Sequence, residues 1–236
     1  VAGTALVTGG ASGMGRATAY LLAERGYRVA IDHLDRAADA EQVACDIGGI
    51  AYEADVADVR AVDALVAAVE SDLGPIDVAV ACAGFDVDVP LEEVTEDLWR
   101  RSLEVILGGC ANVIATVGPR MRARRQGSIV GISSELALLG DENHVPYVTA
   151  KSAMIGLVRS IAREYGPDQV RVNIVCPGPT DTEMLTERWR GEDYRRSIAL
   201  NRFGTPDELA RAIVDVAEWT WLTGQVVSPN GGVVIQ

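Results

Sequence analysis

Short runs of valine, isoleucine and alanine alternate along this chain with stretches long enough for amphipathic helices, and that alternation restricts the fold more than any other feature. The predicted strands are residues 5–8, 28–32, 50–54, 76–81, 128–132, 170–175 and 225–228. They are continuous apolar runs, the pattern of strands covered by helices on both faces. Between two of them, segment 58–73 carries Val59, Val62, Leu65, Val66 and Val69 at spacings of three and four, one apolar stripe on a helix. Strand–helix alternation at this period predicts an α/β fold, a doubly wound parallel sheet flanked by helices on both faces. With no linker, repeat or low-complexity tract in 236 residues, the chain reads as one domain over 1–236. The least regular stretch, about 180–205, carries Trp189 and Tyr194 among many charges and is expected to be a lid over the site.

The charge balance narrows the partners. Asp and Glu number 34 against 21 Lys and Arg, a net charge of −13, which argues against nucleic acid and anionic membrane, both polyanions. No apolar run approaches the roughly 18 residues that span a bilayer, so no membrane segment is expected. The first strand-like run begins almost at once, leaving no room for a secretory signal or transit peptide. Cys45, Cys82, Cys110 and Cys176 are widely spaced without a CxxC pair. That reads as reduced thiols in the cytoplasm, with neither a disulfide scaffold nor a metal site expected.

The first predicted strand runs into Thr8-Gly9-Gly10-Ala11-Ser12-Gly13-Met14-Gly15, followed by a predicted helix over 16–25. Small residues in a strand-to-helix turn let backbone amides and the positive helix end approach a pyrophosphate, the Rossmann-type arrangement. Glycine-rich turns are common, so placement at the end of the first strand carries the reading.

Lys151 is the only lysine, the remaining basic side chains all being arginine, and it lies four residues after Tyr147. On a helix the two share a face, one turn apart. Lone use of lysine points to a need for a compact ammonium. Hydride transfer to a carbonyl needs a proton donor for the developing alkoxide, and the reverse needs a base. A tyrosine with its usual pKa of about 10 is a poor base at neutral pH, and a neighbouring ammonium lowers that value.

Together these residues resemble the short-chain dehydrogenase/reductase family over essentially the whole chain. The glycine signature matches Thr8 to Gly15, the tyrosine–lysine motif matches Tyr147-Val148-Thr149-Ala150-Lys151, and the catalytic serine falls on Ser134. Further landmarks are Asp55-Val56, Ala83-Gly84, Arg171-Val172-Asn173, Pro177-Gly178, Thr182, Thr223-Gly224-Gln225 and Gly231-Gly232. The resemblance implies Tyr147 as general acid/base, Lys151 on the nicotinamide ribose, and Ser134 on the substrate oxygen. It implies dinucleotide binding by Gly9, Ser12, Gly13, Met14, Gly15, Asp32, His33, Asp55, Val56, Ala83, Gly84, Pro177, Gly178, Thr180 and Thr182, besides Tyr147 and Lys151. Of these, Asp55-Val56 would contact adenine and Thr182 the carboxamide. It also implies a homotetramer or homodimer that pairs the Tyr147 helix and a long helix around residues 99–124.

Several landmarks are altered. The family's relay asparagine, twenty-two residues beyond Gly84, is Ile106 here. The usual Asn-Asn-Ala-Gly is Ala81-Cys82-Ala83-Gly84, and Asn230 replaces an aspartate. Asp32 near the end of the second strand invites the role of ribose carboxylate, although an ungapped count from Gly15 puts the acidic position on His33. Neither Ser12 nor Leu34 is basic and a carboxylate repels a 2′-phosphate, so NAD is favoured over NADP, with Arg36 the residue that would reverse this. His33 and His144 are expected to be solvated loop histidines. Arg188, Arg190, Arg195 and Arg196 either meet an anionic substrate or form a solvated face.

The expected activity is hydride transfer between nicotinamide and a small-molecule secondary alcohol or ketone. Segment 173–182 resembles members acting on alicyclic hydroxyacyl thioesters, so a cyclic or acyl-thioester substrate is in scope. The alternatives are an NADPH-dependent biosynthetic ketoreductase and a low-turnover nucleotide-binding sensor or assembly protein, which Ile106 favours.

Overall fold

The computed structural model describes residues 2–235, with the backbone alone at 187 and 188. Among them the strands are β1 (Gly3–Thr8), β2 (Tyr27–His33), β3 (Ile50–Glu53), β4 (Ile76–Ala81), β5 (Gly127–Ile132), β6 (Val170–Val175) and β7 (Val226–Val227). All pair in parallel in one sheet of order β3-β2-β1-β4-β5-β6-β7. The helices are α1 (Gly13–Glu24), α2 (Ala37–Ile47), α3 (Val59–Leu73), α4 (Glu96–Ser102), α5 (Gly109–Arg124), α6 (Leu136–Leu139), α7 (Val145–Tyr165), α8 (Glu192–Ser197) and α9 (Pro206–Glu218).

Side chains on a strand alternate faces, and both faces are apolar here. Leu6, Ala79 and Ile174 point into one core with Val62 and Val66 of α3, Val113 of α5 and Met154 of α7. Their neighbours Ala5, Val7, Val78 and Val175 point into a second core with Leu22 of α1, Val43 of α2 and Ile213 of α9. The continuous apolar runs are explained by this double cover, and the doubly wound α/β fold is the observed one. The strand order reverses between β1 and β4, and in such sheets a crevice opens beyond the carboxyl ends of the strands at that point.

The boundaries differ from the sequence reading where side chains do not decide them. Helix α1 begins at Gly13, three residues before its apolar periodicity becomes visible, so Gly13, Met14 and Gly15 form its first turn. Val59 does not join the buried stripe: it is the first residue of α3, just after the N-cap Asp58, and is exposed. The last strand is two residues long, and Ser228 instead donates its hydroxyl to the Cys176 carbonyl at 2.9 Å.

The long helix around 99–124 extends over Glu96–Arg124, with a π-helical turn, Leu103–Gly108, between α4 and α5. This helix is long and apolar enough by length and composition to cross a membrane, contrary to the count of uninterrupted apolar runs. Scattered polar residues such as Glu104 and Asn112 break the runs without lowering the average much. Its apolar side chains include Val113, Ile114 and Val117, buried in the core with α3 and α7.

Candidate active site

Beyond the carboxyl end of β1, Gly9 to Gly15 wall a cavity of about 370 Å³. Gly9 has φ of +65°, and a Cβ there would lie 2.9 Å from the Ala83 Cα, so only glycine lets this loop pass the end of β4. A Cβ on Gly15 would run into the Gly9 carbonyl. Thr8 accepts hydrogen bonds from the Cys82 and Ala83 amides at 3.1 and 3.2 Å, tying the two strand ends together. The result is a glycine cradle at a helix N-terminus, and these residues fit the pyrophosphate of a dinucleotide. Gly9, Ser12, Gly13, Met14, Gly15, Asp32, His33, Asp55, Val56, Ala83, Gly84 and Thr182 all line this one cavity.

At its far end lie the final residues of β2. Asp32 is buried, and burial pushes its carboxyl up to about 8, against the amides of Gly9 and Ala54, which favour the charged form. One carboxyl oxygen and the Nδ1 of His33 have no hydrogen-bond partner in the protein. His33 is no solvated loop residue: it closes β2, 6% exposed, because the strand runs one residue further than the apolar pattern. Arg36 donates to Glu183 at 2.6 Å and lies 3.5 Å from Asp39, so the segment after β6 is bridged to the turn after β2. Arg101 pairs with Asp55 at 3.0 Å.

A second, smaller cavity of about 110 Å³ shares Met14, Thr182 and Met184 with the first. Ser134, Tyr147, Pro177, Gly178, Thr180 and Thr182 line it. Ser134 sits just past β5, and Pro146 near the start of α7 places Tyr147 in that helix's first turn. Lys151, one turn on, is buried and lines neither cavity. Its ammonium lies 5.5 Å from the Tyr147 ring centroid and donates to the Ile132 carbonyl at 2.7 Å. Burial lowers the Lys151 pKa, opposed by Cys82, Cys110 and Cys176. Burial raises that of Tyr147, with Glu135 and Asp86 adding and Ser134 opposing. The expected lowering of the phenol by Lys151 does not appear among the protein's own groups, where desolvation dominates.

Ile106, in the π turn, is 1% exposed. A Cβ on Gly84 would meet the Lys151 Nζ at 3.7 Å and Ile106 Cγ1 at 3.8 Å, so isoleucine closes off the region beside the ammonium.

Acidic residues that the sequence reading did not single out surround the small cavity. Glu135 is buried, accepts from the Ser134 hydroxyl at 2.8 Å, and is pushed by burial up to about 7. His144 is also buried and not solvated, because Asp86 and Asp141 flank its ring at 3.4 and 3.0 Å. The hydrogen bond with Asp86 raises it to about 9, so it carries a positive charge at neutral pH. Only the adjacency of Glu135 to Ser134 could have flagged the glutamate; the His144 cluster joins residues far apart in sequence. In the lid, Trp189 and Tyr194 line the small cavity with ring centroids 4.9 Å apart. Arg190 pairs with Asp181 at 2.6 Å and Arg196 with Glu192 at 2.6 Å, while Arg195 lies 3.7 Å from Glu192, a solvated face. The Arg188 side chain lies outside the described residues.

A glycine cradle at a strand-order reversal, opening onto a buried Ser–Tyr pair, defines a nucleotide-dependent oxidoreductase of the Rossmann type. Known proteins carry this further. The profile of the family described as Enoyl-(Acyl carrier protein) reductase matches residues 9–234. An acetoacetyl-CoA reductase of Shinella zoogloeoides is 36% identical over 233 residues, 97% of each chain. A D-threitol dehydrogenase of Mycolicibacterium smegmatis is also 36% identical, over 90% of this chain and 85% of that one. Among solved structures, a blue fluorescent protein from a metagenomic library in complex with NADPH superposes with a TM-score of 0.92 at 29% identity, over 98% of both chains. The chain belongs to the short-chain dehydrogenase/reductase family and is an NAD(P)-dependent oxidoreductase acting on a secondary alcohol or ketone carbon.

Proposed function

We propose that the chain interconverts a small secondary alcohol and its ketone with NAD, using Tyr147 as proton donor and acceptor. The observation that carries the reading is the buried Tyr147 on the wall of the small cavity, which meets the glycine-lined one at Met14, Thr182 and Met184, with Ser134 beside it and Lys151 fixed behind. When bound, the nicotinamide supplies or takes the hydride. Tyr147 holds the proton that the substrate oxygen gains on reduction, and its raised pKa keeps it protonated, the form that ketone reduction uses. Ser134 would turn its one hydroxyl proton from Glu135 to the substrate oxygen, where charge develops. Lys151, its ammonium held by the Ile132 carbonyl, stands 5.5 Å from the Tyr147 ring centroid and would add positive charge behind the phenol.

Preference for NAD is supported by the pairing of the cations near β2. Arg36 is engaged by Glu183 and Asp39, and Arg101 by Asp55, which leaves carboxylates where a 2′-phosphate would sit. The relatives acting on acetoacetyl-CoA and threitol point to an acyl thioester or a polyol as substrate class, and the acidic small cavity favours the neutral one. A homodimer or homotetramer and a cytoplasmic location complete the reading. The four unpaired thiols support the latter.

Two measurements test it. Fluorescence titration with NADH and NADPH is expected to give tighter NADH binding, and the opposite order removes the NAD preference. Tyr147→Phe should lose at least about 100-fold in kcat/KM while still binding dinucleotide. Unchanged turnover in that variant would take Tyr147 out of the chemistry.

A further inference from the structure

The small cavity has a charge pattern that the shared chemistry of the family does not require. Its charged lining among the described residues is Asp86, Glu135, Asp141 and His144. The one cation is already flanked by two of the three carboxyl groups, so no positive charge is left for an anionic substrate. Glu135 is 5% exposed and one hydrogen bond, 2.8 Å, from the Ser134 hydroxyl. Ser134 also accepts from the Leu136 amide at 3.2 Å, which fixes the serine oxygen between backbone and carboxylate. Trp189 and Tyr194 also line the cavity, Trp189 with its ring centroid 5.7 Å from that of His144.

We propose that Glu135 is a specificity-determining residue that accepts a hydrogen bond from a hydroxyl on the carbon next to the reacting one, so that the substrate is a small neutral vicinal diol or its α-hydroxyketone. The inference rests on the alcohol–ketone reading above and names the substrate class of that same site. The adjacency follows from the geometry. A substrate oxygen on Ser134 is one hydrogen bond from the Glu135 carboxylate, the reach of a neighbouring substituent. A carboxylate has about four acceptor positions, and Ser134 with nearby backbone amides does not fill them all. The size agrees, since about 110 Å³ is less than the roughly 150 Å³ that takes a benzene ring. A neutral hydroxyl is favoured over an ammonium because His144 already takes up Asp86 and Asp141, and Glu135, pushed up to about 7, offers less than a full negative charge to offset the desolvation of a buried cation. In the reductive direction the carbonyl carbon of the α-hydroxyketone would gain the hydride of the reduced nicotinamide and its oxygen the Tyr147 proton, leaving a phenolate. Oxidation of the diol is the reverse, with that phenolate as the base, and the second hydroxyl stays intact.

The test uses the full chain with meso-2,3-butanediol, 2-butanol and 1-amino-2-propanol under saturating NAD. The diol is expected to exceed the mono-alcohol by at least about 10-fold in kcat/KM, the gap lying mostly in KM. Glu135→Ala should bring that ratio near one, and Glu135→Gln, which keeps an acceptor oxygen, should restore part of it. Saturation-transfer NMR of the butanediol, which needs no turnover, should show binding to the wild type and not to Glu135→Ala. A ratio that survives Glu135→Ala, or a preference for the amino alcohol, overturns the inference and leaves the alcohol–ketone reading standing. No oxidation of any alcohol, and no reduction of the matching ketones, with either dinucleotide overturns both.

Discussion

Asp32 lines the large cavity, where its sequence position puts it, and is buried there. Its sequence position suggested an ionised carboxylate on the ribose, but the folded chain buries it beneath the glycine loop and pushes its pKa up to about 8. In the unfolded chain an aspartate titrates near 3.9. Between these values the folded state keeps a proton that the unfolded state has released, so stability falls as pH rises from about 4 to about 8 and then levels off. Asp32→Asn lacks this penalty. Its Tm relative to wild type, followed by calorimetry, is expected to climb across that window by about 5 °C or more. A constant offset from pH 4 to pH 8 would show that the carboxyl ionises normally in the fold. Tyr147 and Lys151 were legible as a pair from type and spacing, since one helical turn is a local relation, while Ser134 came only with the family resemblance. Glu135 as a wall of the small cavity and the His144–Asp86–Asp141 cluster were not. Whether an acid or histidine is buried depends on which distant segment covers it, and no periodicity encodes that.

At the scale of the element, the strand–turn–helix around Gly9 to Gly15 does the positioning. Gly15 faces the Gly9 carbonyl without room for a methyl group, and the first turn of α1 supplies amides to the large cavity. Gly15→Ala is expected to weaken NADH binding by at least about 10-fold in a fluorescence titration, with far-UV circular dichroism unchanged. Wild-type affinity in that variant would show that the loop relaxes without cost. The sheet and its helices were readable because double burial leaves uninterrupted valine and isoleucine runs. Helix ends were less so: α1 starts within the glycines, where backbone geometry alone sets the boundary. The π turn at Leu103–Gly108 left no signature either, since one extra residue in a helical turn changes hydrogen bonding and not composition.

For the whole molecule, the surface keeps several large apolar side chains in water. Trp221 is 93% exposed and Ile235 86%, and both lie in the C-terminal segment beyond α9. Exposed apolar side chains mark a contact site where they gather into one patch, and Trp221 is the side chain to test for the proposed homo-oligomer. Sedimentation is therefore expected to give a mass of two or four chains, and Trp221→Glu to shift it toward fewer. A monomer for the wild type at micromolar concentration would rule out the homo-oligomer.

The Arg36–Glu183 bridge joins the β2–α2 turn to the segment that covers the crevice, and both its ends are exposed. Attraction between such groups fades as dissolved ions accumulate, over a distance of about 8 Å at physiological strength. The rate at which NADH leaves, read by stopped-flow fluorescence, is therefore expected to rise as salt is added, and a salt-independent rate would show that the bridge does not hold the nucleotide in.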